Sequence, residues 1–226
     1  MGAAPRLDFT HVRAWIFDLD NTLYPHGSEV LVEAEKRICR FIESHFGLSA
    51  ADAWRLQKDC LRVEGSTLSG LVKRFAIDPE PYLAYVNDVD VTTLSPAPDL
   101  QRALARLPGK RIVFTNNCGH YAARVLSRLG IEDELDAICD IRTVGFAAKP
   151  SRASYEKVVD SLGVAPAKSA MFEDAERNLI PAHAMGMTTV WLRSPADRNA
   201  APPAHIHHHT DDLTRFLNTI EVHSAS

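Results

Sequence analysis

Two periodicities alternate along this chain. Short apolar runs occur at Ala14-Trp15-Ile16-Phe17, Ile112-Val113-Phe114, Ala137-Ile138-Cys139, Ala170-Met171-Phe172 and Thr189-Val190-Trp191-Leu192. Each is too short for a helix and is bounded by polar or turn residues, as strands buried on both faces of a parallel sheet are. Between them the apolar positions recur every three or four residues. Leu100, Ala103, Leu104 and Leu107 share one helical face; so do Ala122, Val125, Leu126 and Leu129, and again Tyr155, Val158, Val159 and Leu162. Gly130 and Gly163 directly follow the last two sets, where a helix stop belongs. Strand–helix alternation over residues 100–220 predicts an α/β fold with a doubly wound, mostly parallel sheet and right-handed crossovers.

Residues 28–97 break that rhythm. Ser28 stands where it can cap a helix that carries Leu31, Ala34, Ile38, Phe41 and His45 and ends at Gly47. Helical patterns follow at Ala53, Leu56, Cys60 and Leu61, then at Leu68, Leu71, Val72 and Phe75, and Pro79 and Pro81 open a shorter one. An all-helical stretch between the first strand and the remaining ones predicts a small cap, residues 28–97, inserted into a core made of 1–27 and 98–226. Gly27 at one junction and Pro25, Pro96 and Pro98 at both suit a hinge.

Composition narrows the class. The 226 residues fit one domain plus an insertion, and 46% hydrophobic with 24% charged residues is ordinary globular usage. Twenty-five basic against 29 acidic residues give a net charge of −4, without a Lys/Arg run, which argues against a nucleic-acid polymer as partner. No apolar stretch approaches the roughly 18 residues of a membrane span, and Met1–Asp8 lacks a leader's apolar core, so a soluble, cytoplasmic protein without a membrane partner is expected. Cys39, Cys60, Cys118 and Cys139 are widely spaced, with no C-x-x-C pair, and read as buried free thiols. His205-Ile206-His207-His208-His209 reads as a late, half-exposed strand whose alternation sends the imidazoles to opposite faces, not as a shared metal site.

The chemistry gathers at strand ends. Asp18 and Asp20 stand just past the first apolar run, in Asp18-Leu19-Asp20-Asn21-Thr22. Thr115 and Asn116 close the second run with a hydroxyl and an amide, which can bind phosphate oxygens without adding charge. Lys149-Pro150 places a cation before a helix, and Phe172-Glu173-Asp174 ends another run with two carboxylates. Taken singly these are a polar turn, ordinary strand-end polarity, a solvated lysine and an acidic helix cap. All four sets, however, fall along the same edge of the expected sheet, where open α/β folds bind ligands. Asp18, Asp20 and Asp174 without histidine or cysteine partners make a hard-oxygen site suited to Mg²⁺. With Lys149 beside them the set suits phosphoryl transfer.

These motifs, in this order, resemble the haloacid dehalogenase-like superfamily and its phosphatase branch. The resemblance implies that Asp18 is a nucleophile forming an aspartyl phosphate. Asp20 protonates the leaving oxygen and then activates water, while its main-chain carbonyl binds Mg²⁺. It implies that Thr115, Asn116 and Lys149 hold the phosphoryl group and that Asp174 binds the metal directly. Glu173 then acts through metal-bound water and Asn178 supports the site from behind. Asp20-Asn21-Thr22-Leu23-Tyr24-Pro25, the cap sequence Gly65-Ser66-Thr67-Leu68-Ser69-Gly70-Leu71 and Glu173-Asp174 together resemble the pyrimidine 5′-nucleotidase group. That resemblance implies a small phosphorylated metabolite as partner, a pyrimidine nucleoside 5′-monophosphate, with Gly65, Ser66 and Thr67 selecting it. The alternatives are a phosphoglycolate or sugar-phosphate phosphatase of the same superfamily and a non-catalytic binding module.

Overall fold

The structure is a computed structural model that describes residues 7–222; the expectations resting on Met1–Arg6 and on the last four residues lie outside the described residues. The chain enters through β1 (Leu7–Asp8), which pairs in parallel with the late β8 (Ile220–Glu221). It then lays down a six-stranded parallel sheet of β2 (Ala14–Phe17), β3 (Lys110–Phe114), β4 (Ala137–Cys139), β5 (Ser169–Glu173), β6 (Thr188–Leu192) and β7 (His208–Thr210). The spatial order is β4-β3-β2-β5-β6-β7. The core helices are α5 (Pro98–Ala105), α6 (Gly119–Leu129), α7 (Arg152–Leu162), α8 (Leu179–Ala184) and α9 (Leu213–Thr219). Residues 28–97 hold α1 (Glu29–Phe46), α2 (Ala50–Glu64), α3 (Thr67–Phe75) and α4 (Pro79–Val86).

The sheet forms as the apolar runs demand. All four residues of β2 are buried, Phe17 stacks on Phe172 with ring centroids 4.8 Å apart, and the Trp15 indole N–H donates to the Pro108 carbonyl at 2.8 Å. Burying each such aromatic is worth about 1.5–3 kcal/mol, so the central strand anchors the core. From β2 the chain runs outward through β3 and β4, then returns to the other flank for β5, β6 and β7. β2 is therefore the switch point, and the crevice past its carboxyl end is where a ligand site is expected. The register levels Phe17 with both Val113 and Phe172, and the Asp18 N–H donates to the Phe172 carbonyl at 2.9 Å. One residue further along, Asp18, Phe114 and Glu173 make the next row across the sheet.

Local capping departs from expectation in two places. Ser28 is the residue before α1, but its hydroxyl donates to the Pro25 carbonyl at 2.6 Å instead of accepting from a helix amide, and so tightens the hinge loop. Ser66, read as a substrate contact, is the N-cap of α3, where its Oγ accepts from the Ser69 N–H at 3.0 Å. Of the histidine segment only His208 and His209 lie in a strand. His205 instead pairs with Glu176 at 2.5 Å and His207 Nδ1 accepts from the Thr189 N–H at 3.0 Å, contacts that stop the ladder short of both. The four cysteines are unpaired; Cys60, Cys118 and Cys139 are buried, whereas Cys39 is half-buried and donates its S–H to Gln57 Oε1 at 2.7 Å. Among the described residues no helix is long and apolar enough to cross a membrane.

Candidate active site

Lys149 is the centre of the site. It lies in the loop before α7 and is 1% exposed. Its Nζ donates to Asp18 Oδ1 at 2.6 Å, to Glu173 Oε2 at 2.7 Å and to the Phe114 carbonyl at 2.8 Å. The three protons of the ammonium meet three acceptors, which is the condition for tolerating a buried charge. Burial alone would lower the lysine, but Asp18 and Glu173 override it and hold the ammonium above its ordinary range. Burial likewise works to raise Glu173, and Lys149 prevails and keeps that carboxyl below its usual value. Asp18 is pushed up to about 7 by its burial and by the Glu173 charge, against the pull of Lys149. The lysine donates to Oδ1 of Asp18, and among the described residues no hydrogen bond reaches Oδ2.

Asp20 is held separately. Its Oδ1 accepts from the Tyr24 hydroxyl and, at 3.2 Å, from the Tyr121 hydroxyl, and the two phenol oxygens are 2.8 Å apart. Asn117 Nδ2 stands 3.5 Å from the other oxygen, Oδ2. Burial raises the Asp20 carboxyl, and burial with the adjacent Asp20 charge keeps both phenols protonated. Between the two aspartates Leu19 is fully buried, while Asn21 adopts φ 62°, a left-handed conformation asparagine tolerates. That turn aims Asn21 Nδ2 at Asp174 Oδ2, 3.2 Å away.

The carboxylates fit a divalent cation. Oxygens of Asp18, Glu173 and Asp174 lie within 4.8 Å of one another. Asp174 is pushed up to about 10 by burial and by the Glu173 and Asp18 charges, the electrostatic signature of anions crowded beyond what one lysine neutralises. The donors are all hard oxygens, which suits Mg²⁺. Asn178 Oδ1 is buried beside them without a hydrogen-bond partner. Protein groups hold both Glu173 and the Asp20 carboxylate. Glu173 Oε2 is taken by Lys149 and its Oε1 by the Ala175 N–H at 3.1 Å, so protein donors engage both oxygens. The Asp20 carboxylate turns to the tyrosines instead of joining the cluster, which leaves only its carbonyl for a metal.

The expected phosphate contacts divide in the same way. Thr115 Oγ1 accepts from the Asn117 N–H at 2.9 Å and keeps its own proton to donate. The Asn116 side chain clasps the Lys149 main chain, accepting its N–H at 2.8 Å and donating to its carbonyl at 3.2 Å. It thus fixes the lysine loop, with one N–H of its Nδ2 and its main chain left for a ligand. Gly65 presses against that loop from the cap: a Cβ there would lie 2.1 Å from the Lys149 carbonyl oxygen. Ser69 Oγ donates to the Phe146 carbonyl at 3.0 Å, a second cap-to-core contact, and Thr67 is buried beside the Tyr82 phenol. A cavity of about 500 Å³ runs from Asp18, Asp20, Lys149 and Asp174 to Gly65, Ser66 and Thr67. Its cap wall is largely apolar, from Leu31, Ala34, Ile38, Leu61, Leu83 and Val86, with the Gln57 amide and the Glu35–Lys58 ion pair set into it.

The motifs did not disclose the tyrosine pair. Tyr24 carries a local signal, a phenol four residues after Asp20. Tyr121 has none, because 101 residues separate it from its partner.

The sequence matches the haloacid dehalogenase-like hydrolase family over residues 12–186, well over half of the chain. The chain belongs to this family. Among its relatives is phosphate metabolism protein 8 of Saccharomyces cerevisiae, 28% identical over 193 residues; the match takes in 77% of this chain and 60% of that protein, so the chain spans less than two thirds of that relative's length. A glyceraldehyde 3-phosphate phosphatase of Methanopyrus kandleri is 28% identical over 199 residues, covering 80% of this chain and 84% of that one. In fold, this haloacid dehalogenase-like hydrolase is similar to the crystal structure of CbbY from Rhodobacter sphaeroides in complex with phosphate (TM-score 0.64, 17% identity, 92% of this chain and 99% of the other). It is also similar to that of a phosphatase of this family from Thermococcus onnurineus (TM-score 0.60, 20% identity, 92% and 99%).

Proposed function

We propose that this hydrolase is a Mg²⁺-dependent phosphatase acting on a small phosphate monoester, with a pyrimidine nucleoside 5′-monophosphate as the substrate class. The observation that carries the reading is a nucleophile-ready carboxylate, Asp18, at the floor of a cavity whose far wall is largely apolar. Asp18 Oδ2 attacks phosphorus, the P–O bond to the leaving group breaks, and the departing oxygen takes a proton from Asp20. The aspartyl phosphate on Asp18 is then hydrolysed by a water that returns its proton to Asp20. Lys149 supplies positive charge beside the phosphoryl oxygens, the Thr115 hydroxyl donates to one of them, and Asn116 fixes the lysine through its main chain. Asp18, Asp174 and the Asp20 carbonyl would hold Mg²⁺, with Asn178 and Glu173 behind them; the ion supplies charge that offsets repulsion between carboxylate and phosphate.

Selection belongs to the cap. A volume of about 500 Å³ lies within the roughly 300–1,000 Å³ of small-molecule sites, and its largely apolar wall suits the faces of a base. Gly65, Ser66 and Thr67 line the same cavity, although Ser66 and Thr67 already have partners inside the cap. The second reading is a sugar-phosphate phosphatase, favoured by the Methanopyrus relative's name. A release assay over UMP, CMP, AMP, GMP, phosphoglycolate and glyceraldehyde 3-phosphate, with Mg²⁺ and with excess chelator, separates the two. UMP or CMP cleaved fastest, with activity lost on chelation and restored by Mg²⁺, is the expected result. A faster sugar phosphate moves the chain to the second reading, and full turnover in chelator removes the metal.

A further inference from the structure

We propose that Tyr24 and Tyr121 are positioning residues that orient the Asp20 carboxyl, holding Oδ1 and turning Oδ2 toward the ligand. This rests on the phosphatase reading above and adds the device that directs its proton. Both phenols are buried, at 3% and 0% exposure, and both address the same oxygen, Oδ1. They come from different parts of the core, Tyr24 from the loop after β2 and Tyr121 from the first turn of α6. With phenol oxygens 2.8 Å apart, the two hydroxyls are also hydrogen-bonded to each other, so the pair closes a triangle of oxygens around Oδ1.

The consequence follows from the geometry of the carboxyl. The phenols hold Oδ1, which turns the second oxygen, Oδ2, to the cavity and makes it the oxygen through which Asp20 gives up and takes back a proton. Oδ2 has only the long 3.5 Å approach of Asn117 Nδ2, so it stays free to face a ligand. When the leaving oxygen departs, the Oδ2–H bond breaks and the new O–H bond forms on the leaving group; Asp20 becomes an anion with its Oδ1 hydrogen bonds unchanged. In hydrolysis the proton lost by water returns to Oδ2. Neither phenol gains or loses a proton in the cycle, and both keep the carboxyl from rotating.

The experiment uses the full chain and two probes of similar shape, p-nitrophenyl phosphate and phenyl phosphate. The first has a leaving group that departs with little protonation; the second needs its proton. General acid catalysis contributes about 10²–10⁴-fold, so misplacing the acid should cost the demanding substrate about tenfold to a hundredfold. In Tyr24→Phe and in Tyr121→Phe, kcat/KM for phenyl phosphate should fall at least tenfold further than that for p-nitrophenyl phosphate, with KM for both little changed. Equal losses on the two probes, or a loss confined to KM, overturns the assignment. Thermal unfolding of both variants is measured alongside, and the better-folded one decides the outcome. A wild-type protein that releases phosphate from neither probe overturns the phosphatase reading and the tyrosine assignment with it; a turning-over wild type with an unchanged substrate ratio in the variants overturns the tyrosines alone.

Discussion

The sheet edge and the cap contribute to one cavity by opposite means. At the edge, a row of strand ends places Asp18, Lys149 and Glu173 in direct contact, and every proton on the buried ammonium has an acceptor. In the cap, α1 to α4 present leucine, isoleucine and valine to the same space, while their polar groups are largely engaged with one another: Ser66 with Ser69, Thr67 with Tyr82, Cys39 with Gln57. On the function proposed above, the charged edge takes the phosphoryl group and the largely apolar cap meets what the phosphate is attached to. Chemistry and selection would then be built on different physics, electrostatics held by a sheet register against burial held by helix packing.

The largest expected effect lies on the edge. Asp18→Asn should leave the fold intact and lower turnover by several orders of magnitude, because the amide cannot form the covalent intermediate. Near-native turnover in the purified variant would remove Asp18 from its role. Lys149→Met probes the same region through stability. Methionine is apolar and of comparable length, so Asp18 and Glu173 are left as two buried acids without a cation. Removing one member of a buried pair costs about 3–5 kcal/mol, readable by denaturant unfolding at pH 7. A loss below about 1 kcal/mol would show that the three groups are independent.

Next comes the seam between the regions. Gly65 has φ +81° and no room for a Cβ against the Lys149 carbonyl, whereas Gly47, with φ +65°, has open space around it. Gly47→Ala should therefore carry only the left-handed strain of about 1–2 kcal/mol. Gly65→Ala adds an overpacking cost of about 1–3 kcal/mol and should displace the cap from the lysine loop, lowering kcat/KM at least tenfold further than Gly47→Ala does. Equal effects of the two substitutions would mean that the cap does not bear on the catalytic loop.

The smallest effect is expected at the far edge of the sheet, where no catalytic group lies. Burial, together with the neighbouring His207 and His209 charges, lowers His208, whose ring is 5.1 Å from that of Phe9. A histidine with a depressed folded-state value binds fewer protons folded than unfolded near pH 6. Its contribution is complete above its ordinary value near 6.5 and is lost as pH falls through the folded value. From pH 7 down to pH 5.5 the melting temperature of the wild type should change less favourably than that of His208→Phe, because the raised Asp18 and Asp174 carboxyls act in the opposite direction in both proteins. An unchanged slope in the variant would show that His208 does not contribute to it.

Much of this was written into the linear sequence. The five apolar runs became strands of one parallel sheet, the interruption at 28–97 became four helices, and Gly47, Gly130 and Gly163 end their helices in left-handed conformations. These features are legible because strand burial and helix stops depend on neighbours a few residues away. For the same reason Asp18, Thr115 and Asp174 could be named, since each lies at the end of an apolar run, whereas Lys149 was named from its place in a loop before a helix.

The tertiary structure alone decided which atoms meet. The sequence shows that Glu173 and Lys149 are near the site, but only the register across β2 and β5 makes them a buried ion pair that engages the Glu173 carboxylate. Asn116 was named as a phosphate contact, and only the fold shows that its amide also clasps the Lys149 main chain. Tyr121 carried no mark at all, because its hydrogen bond to Asp20 joins residues brought together by the docking of α6 on the sheet. Composition and periodicity encode the environment of each side chain through local geometry. The partner of a buried polar group depends on distances between elements far apart in the chain, and those exist only once the core has packed.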